Sequence, residues 1–174
     1  MTTSHIVELD GKELSLESLE AIARGAPVRV SEEARERVAR SRAFVEAKFA
    51  SGETIYGVTT GFGRLATVRV APKDAQALQL NLVRSHAAGT GAPLEATLVR
   101  AAGVLRVSSL AAGHSGIKLD TLDLLVELLN RDVTPHVPSQ GSVGASGDLA
   151  PLAHMTLTLI GEGQAYYRGE LMPA

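Results

Sequence analysis

Three short stretches hold residues whose types and spacing could do chemistry. "GSVGASGDLAPLAH", Gly141 to His154, has glycines at 141, 144 and 147 directly before a hydrophobic helical pattern. A glycine loop ahead of a helix can cradle an anion. The spacing fits neither G-x-x-x-x-G-K-S/T nor G-x-G-x-x-G, and no lysine follows Gly147. A nucleophilic serine would need G-x-S-x-G on a strand-to-helix elbow. Gly144-Ala145-Ser146-Gly147-Asp148 lacks the last glycine, and Gly113-His114-Ser115-Gly116-Ile117 lacks it too. Taken alone, the stretch reads as a turn whose Ser146 or Asp148 caps the next helix. The second stretch, "YGVTTGFG", runs from Tyr56 to Gly63 with no usable period. Its tyrosine, taken alone, reads as an ordinary half-buried loop residue. The third, "NLVRSHAAGTG", ends an apolar stripe with Ser85 and His86. His86 faces inward there, as a hydrogen-bonded core histidine or as a ligand contact.

The elements that must position these residues are mostly helices. Ser15 is a candidate N-cap for a helix with Leu16, Leu19, Ile22 and Ala23 on one face, stopped by Gly25. Ser31, followed by Glu32 and Glu33, opens a second helix that runs to about Ala50, before Gly52. Pro72 suits a first helical turn, and Ala75, Leu78, Leu82 and His86 form the stripe behind it. Pro93 starts another helix, with Leu94, Leu98, Ala101 and Leu105 facing one way. Asp120-Thr121-Leu122-Asp123 resembles a capping box for Leu122, Leu125, Val126 and Leu129. Leu152, Met155, Thr156 and Leu159 mark a last helix. "HIVELDGKEL" reads as a strand, a turn at Asp10-Gly11 and a returning strand, and the tail as a hairpin turning at Arg168-Gly169. Residues 132–147 show no regular pattern, and a loop that long leans functional. The expected class is mainly α, with minor β at both ends.

Composition bounds the function. The 174 residues fit one domain, spanning 1–174. A net charge of −2 gives no footprint for nucleic acid or an anionic membrane. Hydrophobic content of 45% with only 3% aromatic predicts a core of Leu, Val and Ala. The absence of cysteine excludes disulfides and thiolate metal sites, leaving the cytoplasm as the expected compartment. The N-terminus lacks the basic and apolar regions of a signal peptide, and no apolar run reaches the ~20 residues of a membrane span. His5, His114, His136 and His154 show no ligand spacing, so no metal is expected.

"YGVTTGFG", "NLVRSHAAGTG", "SLAAGHSGI" and "GSVGASGDLAPLAH" occur in this order in one chain. Together they resemble the histidine and aromatic amino-acid ammonia-lyases, the histidine branch most closely, from about residue 5 to the end. The resemblance implies the N-terminal part of their helical, fumarase/aspartase-like fold, with the central helix bundle and C-terminal region absent. It also implies that Ala145, Ser146 and Gly147 cyclise to 4-methylideneimidazol-5-one (MIO), with no external cofactor. In that chemistry the Gly147 amide attacks the Ala145 carbonyl, an approach that a Cβ would hinder. Ser146 loses water to give a dehydroalanine. A helix starting near Asp148 would favour charge developing on the ring.

By the same resemblance Tyr56 is the base. A tyrosine in that role needs its phenolate stabilised, for instance by helix N-termini. The glycines up to Gly63 let the loop act as a lid, and Ser85, His86 and Gly63 meet the substrate. Ser85-His86 matches the histidine enzymes, which turn L-histidine into trans-urocanate and ammonia. Thr59 and "YGVTTGFG" also match the aromatic relatives, so a tyrosine or phenylalanine lyase, or an aminomutase, is the alternative. A truncated lyase that only associates with full-length subunits is the non-enzymatic one. A homotetramer whose subunits share sites is the implied assembly.

Overall fold

The computed structural model describes residues 6–58, 60, 70, 74–142 and 149–174. Among them lie six helices and seven short strands, a mainly α architecture with strands also in mid-chain. Strand β1 (Val7–Leu9) pairs in parallel with β2 (Val28–Val30), and α1 (Leu16–Ala23) crosses between them. The expected return strand after Asp10-Gly11 does not form. Lys12 N–H instead donates to Asp10 Oδ1, and Gly11, at φ +74°, brings its Cα so close to α4 (Ala96–Ala111) that a Cβ would lie 2.4 Å from Ala111 C. The chain therefore turns across the end of α4, and β1 takes its hydrogen bonds from β2. The other edge of β2 is closed by Asn130, whose amide donates to Val28 O and accepts from Val28 N–H.

Serine caps begin the first two helices as expected. Ser15 Oγ accepts from Ser18 N–H, and Ser31 Oγ accepts from Ala34 N–H at the start of α2 (Glu32–Ser51). Gly52 ends α2 in the left-handed conformation. Within α1, Ile22 and Ala23 are buried, but Leu16 is exposed. Helix α5 (Leu119–Asn130) buries Leu122, Leu125 and Leu129, with Val126 packed alongside. Its N-cap is Lys118 without a side-chain bond, so Asp120 lies in the first turn and the capping box does not form.

Helix α4 departs further from expectation. Pro93 closes strand β3 (Thr90–Pro93), and the helix begins at Ala96 behind Glu95. Its buried face is Val99, Gly103, Val104, Val107 and Leu110, whereas Leu98 and Leu105 face solvent. The small residues explain the choice. A Cβ on Gly103 would touch Leu129 at 3.4 Å and Met155 at 3.6 Å, so the narrow face lets α5 and α6 approach closely. Arg100 is buried on that face; its guanidinium donates to Leu129 O and Ile22 O and pairs with Asp132. One cation thus meets the carbonyl ends of both α1 and α5.

The segment expected to be irregular contains two strands. Strand β4 (Val133–Pro135) joins β6 (Gln164–Tyr167), and β5 (Pro138–Gln140) pairs antiparallel with β3. Both pair with residues remote in sequence, which local pattern does not report. Helix α6 (Leu149–Leu159) follows, with Ala150, Ala153 and Met155 buried and Leu152, Thr156 and Leu159 half-buried. The terminal hairpin of β6 and β7 (Glu170–Pro173) turns at Arg168 (φ +52°) and Gly169 (φ +82°), as expected.

Candidate active site

Ser85 and His86 occupy the last turn of α3 (Ala75–His86), behind the half-buried Leu78 and Leu82. His86 is half-buried, and its Nδ1 lies 2.9 Å from Leu82 O. A carbonyl can only accept, so Nδ1 carries the proton. Ser85 Oγ sits 3.1 Å from the same nitrogen and donates its own proton to Leu82 O at 2.9 Å. The two side chains form a local clamp on one carbonyl, and in the neutral imidazole this tautomer puts the lone pair on Nε2.

Beyond His86 the chain runs through Gly89 into β3, where Thr90 stands opposite Gln140 of β5. That pairing sets Gly89 against Gly141. A Cβ on Gly141 would lie 3.0 Å from Gly89 Cα and 3.1 Å from Ala150 Cβ, and Gly141 adopts φ +157°, a value side chains disfavour. One turn after Ala150, His154 Nε2 accepts the Gly89 N–H at 2.9 Å. Three segments therefore meet, the first two backbone to backbone: the turn after His86, the chain entering the glycine-rich stretch, and the helix leaving it, which contributes Ala150 and the His154 ring.

Ala145, Ser146, Gly147 and Gly63 lie outside the described residues, as do Thr59 and Pro72. Their flanks are described. Gly141 and Ala150 approach each other closely across the eight positions between them. Tyr56 lies on the turn that follows α2 and is 64% exposed. That turn is held locally by Gly57 N–H on Thr60 Oγ1 and Val58 N–H on Ile55 O.

Two further groups join α3 to the end of α6. Arg84 Nε donates to both carboxylate oxygens of Glu162 at 3.1 and 3.0 Å, which raises the arginine's pKa and lowers the glutamate's. His154 is held below the ordinary histidine pKa by burial and, secondarily, by the nearby His136. Sequence reading gave His154 no ligand role, and it did not connect Gly89 with Gly141 or with His154. Their partners lie on other elements, and a single sequence carries no signal for such pairs. Among the described residues no group of three or more His, Cys, Asp or Glu could hold a metal, and no helix is long and apolar enough to cross a membrane.

A profile of the family described as "Aromatic amino acid lyase" matches residues 14–174. The chain is 56% identical over 168 residues to a histidine ammonia-lyase of Sorangium cellulosum (strain So ce56), covering 94% of this chain and 33% of that protein. It is similar to the solved structure of ergothionase from Treponema denticola, in complex with desmethyl-ergothioneine sulfonic acid. There the TM-score is 0.93 at 31% identity, over 97% of this chain and 34% of that one. For tyrosine aminomutase from Streptomyces globisporus the TM-score is 0.89 at 37% identity, over 97% of this chain and 32% of that one. The chain thus spans about a third of the length of the curated relatives it matches.

Proposed function

Because the chain belongs to the aromatic amino acid lyase family, we propose that it is the MIO-bearing region of a histidine ammonia-lyase. That enzyme is a carbon–nitrogen lyase that turns L-histidine into trans-urocanate and ammonia in the cytoplasm. Residues 1–174 act as one domain within a homotetramer. The observation that carries the reading is the junction at Gly89, which draws the turn bearing Ser85 and His86 onto both flanks of Ala145-Ser146-Gly147. The identity to the Sorangium relative supports histidine as substrate.

The elimination needs a β-proton removed while the amine departs with the electrons of its C–N bond, leaving a carbon–carbon double bond. The group formed from Ala145, Ser146 and Gly147 supplies an electrophile for that departure. Tyr56 takes the β-proton, carried to the substrate by the glycine-rich loop that ends at Gly63. His86 reads the substrate ring: its Nε2 lone pair accepts an imidazole N–H, and the Leu82 carbonyl holds its Nδ1 proton in place. Helix α6 begins two residues after Gly147, and a helix N-terminus favours negative charge near it.

A second reading is supported by the likeness to the aminomutase, together with Thr59 in the loop. Incubation with histidine, tyrosine and phenylalanine, each followed by the ultraviolet absorbance of its conjugated product, separates the two. Histidine should be consumed with urocanate formed. Turnover of tyrosine but not histidine would reject the substrate assignment. Cyclisation removes two waters from the intact mass. Tyr56→Phe should keep that mass loss and lose turnover, and Ser146→Ala should lose both.

A further inference from the structure

We propose that His154 is a positioning residue of the substrate site: its ring holds the Gly89 amide and so fixes the turn bearing Ser85 and His86 against the helix that follows Ala145-Ser146-Gly147. The proposal rests on the reading that His86 and the tripeptide serve one site. It starts from the direction of a single hydrogen bond. Gly89 N–H donates and His154 Nε2 accepts at 2.9 Å, so Nε2 is unprotonated and the proton resides on Nδ1. A doubly protonated ring has no lone pair and could not make this bond. The half-buried setting that lowers the pKa of His154 favours the neutral form this contact requires.

The position of the bond gives it a role beyond packing. Helix α3 ends with Ala87 N–H on Val83 O, and Ala88 N–H folds back onto His86 O. The next amide, Gly89, reaches across to α6. His86 is three residues from that anchor, and α6 begins two residues after Gly147. The bond therefore ties the end of the helix that carries His86 to α6, the helix that follows the tripeptide in sequence. Gly89 allows it: a Cβ there would stand 3.0 Å from His154 Nε2. A shift of about 1 Å between two groups that hold one substrate is enough for a large loss of rate.

The consequences differ from those of a core histidine. His154→Leu keeps the bulk and removes the acceptor, whereas His154→Gln can place an amide oxygen near the position of Nε2. In the intact enzyme with histidine as substrate, His154→Leu should raise KM about tenfold with a smaller loss in kcat, because His86 holds substrate and transition state alike. His154→Gln should recover most of that. In a His86→Ala background His154→Leu should add little, since the group it positions is gone. A KM unchanged in His154→Leu, a Gln variant no better than Leu, or multiplicative effects with His86→Ala would each overturn the proposal.

Nuclear magnetic resonance of the 174-residue chain supplies a readout independent of turnover. The His154 ring should be neutral with its proton on Nδ1, and the Gly89 amide should exchange faster in His154→Leu. A ring protonated on Nε2 at neutral pH would overturn the contact whatever the activity. A wild-type enzyme that shows this tautomer but converts none of the three amino acids, and has no two-water mass loss, would instead remove the functional reading and the positioning role with it.

Discussion

Gly141→Ala asks whether the junction behind the candidate site has room for a methyl group. Two costs follow from the geometry. At φ +157° an alanine sits in a region left almost wholly to glycine, at about 1–3 kcal/mol. Its Cβ would also lie 3.0 Å from Gly89 Cα and 3.1 Å from Ala150 Cβ, where unstrained carbon contacts begin near ~3.5 Å. Neither neighbour is the tip of a flexible side chain, so the backbones must part, at about 1–3 kcal/mol. The narrower unfolded ensemble returns about 0.4–1 kcal/mol, for a net loss of about 2–5 kcal/mol. Gly161→Ala is the control: φ is +72° and nothing lies within 4 Å, so only the left-handed penalty of about 1–2 kcal/mol applies before the same offset. Urea unfolding of both variants gives the difference. Intact mass then reports whether the tripeptide still loses two waters, and Gly141→Ala should lower that fraction by displacing both of its flanks. If the two variants unfold within about 0.5 kcal/mol of each other and both keep the full mass loss, the junction is neither tight nor connected to the tripeptide.

Two further perturbations test the scaffold. Arg100→Met removes two charge-assisted bonds to buried carbonyls, of about 1.5–3 kcal/mol each, and the pair with the exposed Asp132. Ile22 O keeps Gly25 N–H and Leu129 O keeps Asp132 N–H, so the net loss should be about 2–3 kcal/mol by urea midpoint; an unchanged or raised midpoint would mean that desolvating the guanidinium cancels its contacts. The depressed pKa of His154 gives a pH dependence of definite sign. The unfolded chain binds the proton more readily, so this contribution is complete above the ordinary value of 6.5 and declines as pH falls below it. Urea midpoints from pH 7.5 down to about 5 should fall more steeply for wild type than for His154→Gln, and parallel curves would contradict the shift.

Much of the helical frame was legible because its signals are local. Ser15 and Ser31 cap the helices they precede, Gly52 stops α2, and the Leu122, Leu125, Leu129 stripe is the buried face of α5. The Arg168-Gly169 turn likewise depends only on its own backbone. What failed was decided at long range or by sterics. Asp10-Gly11 has the residues of a hairpin turn, yet β1 finds its partner beyond α1. Helix α4 is apolar on several sides, so the spacing of its leucines does not say which side is buried, and the small face around Gly103 wins by allowing close approach. Pro93 suits a helix start as well as a strand end, and its pairing with Pro138 decides for the strand. At the candidate site the exposed Ser85 and the inward-facing His86 were visible as a candidate pair. The ring that ties them to α6 was not, because a lone histidine in an apolar helix reads the same with or without a partner.

The Arg84–Glu162 pair gives α3 and α6 a second point of attachment beside the one at Gly89. A beam held by one pin can swivel, and a beam held by two keeps its angle. The inner pin is sheltered and indifferent to salt. The outer one stands in solvent, with 49% and 35% of its side-chain surfaces exposed, and weakens as counterions crowd it. Raising the ionic strength therefore weakens the outer contact and leaves the inner one in place.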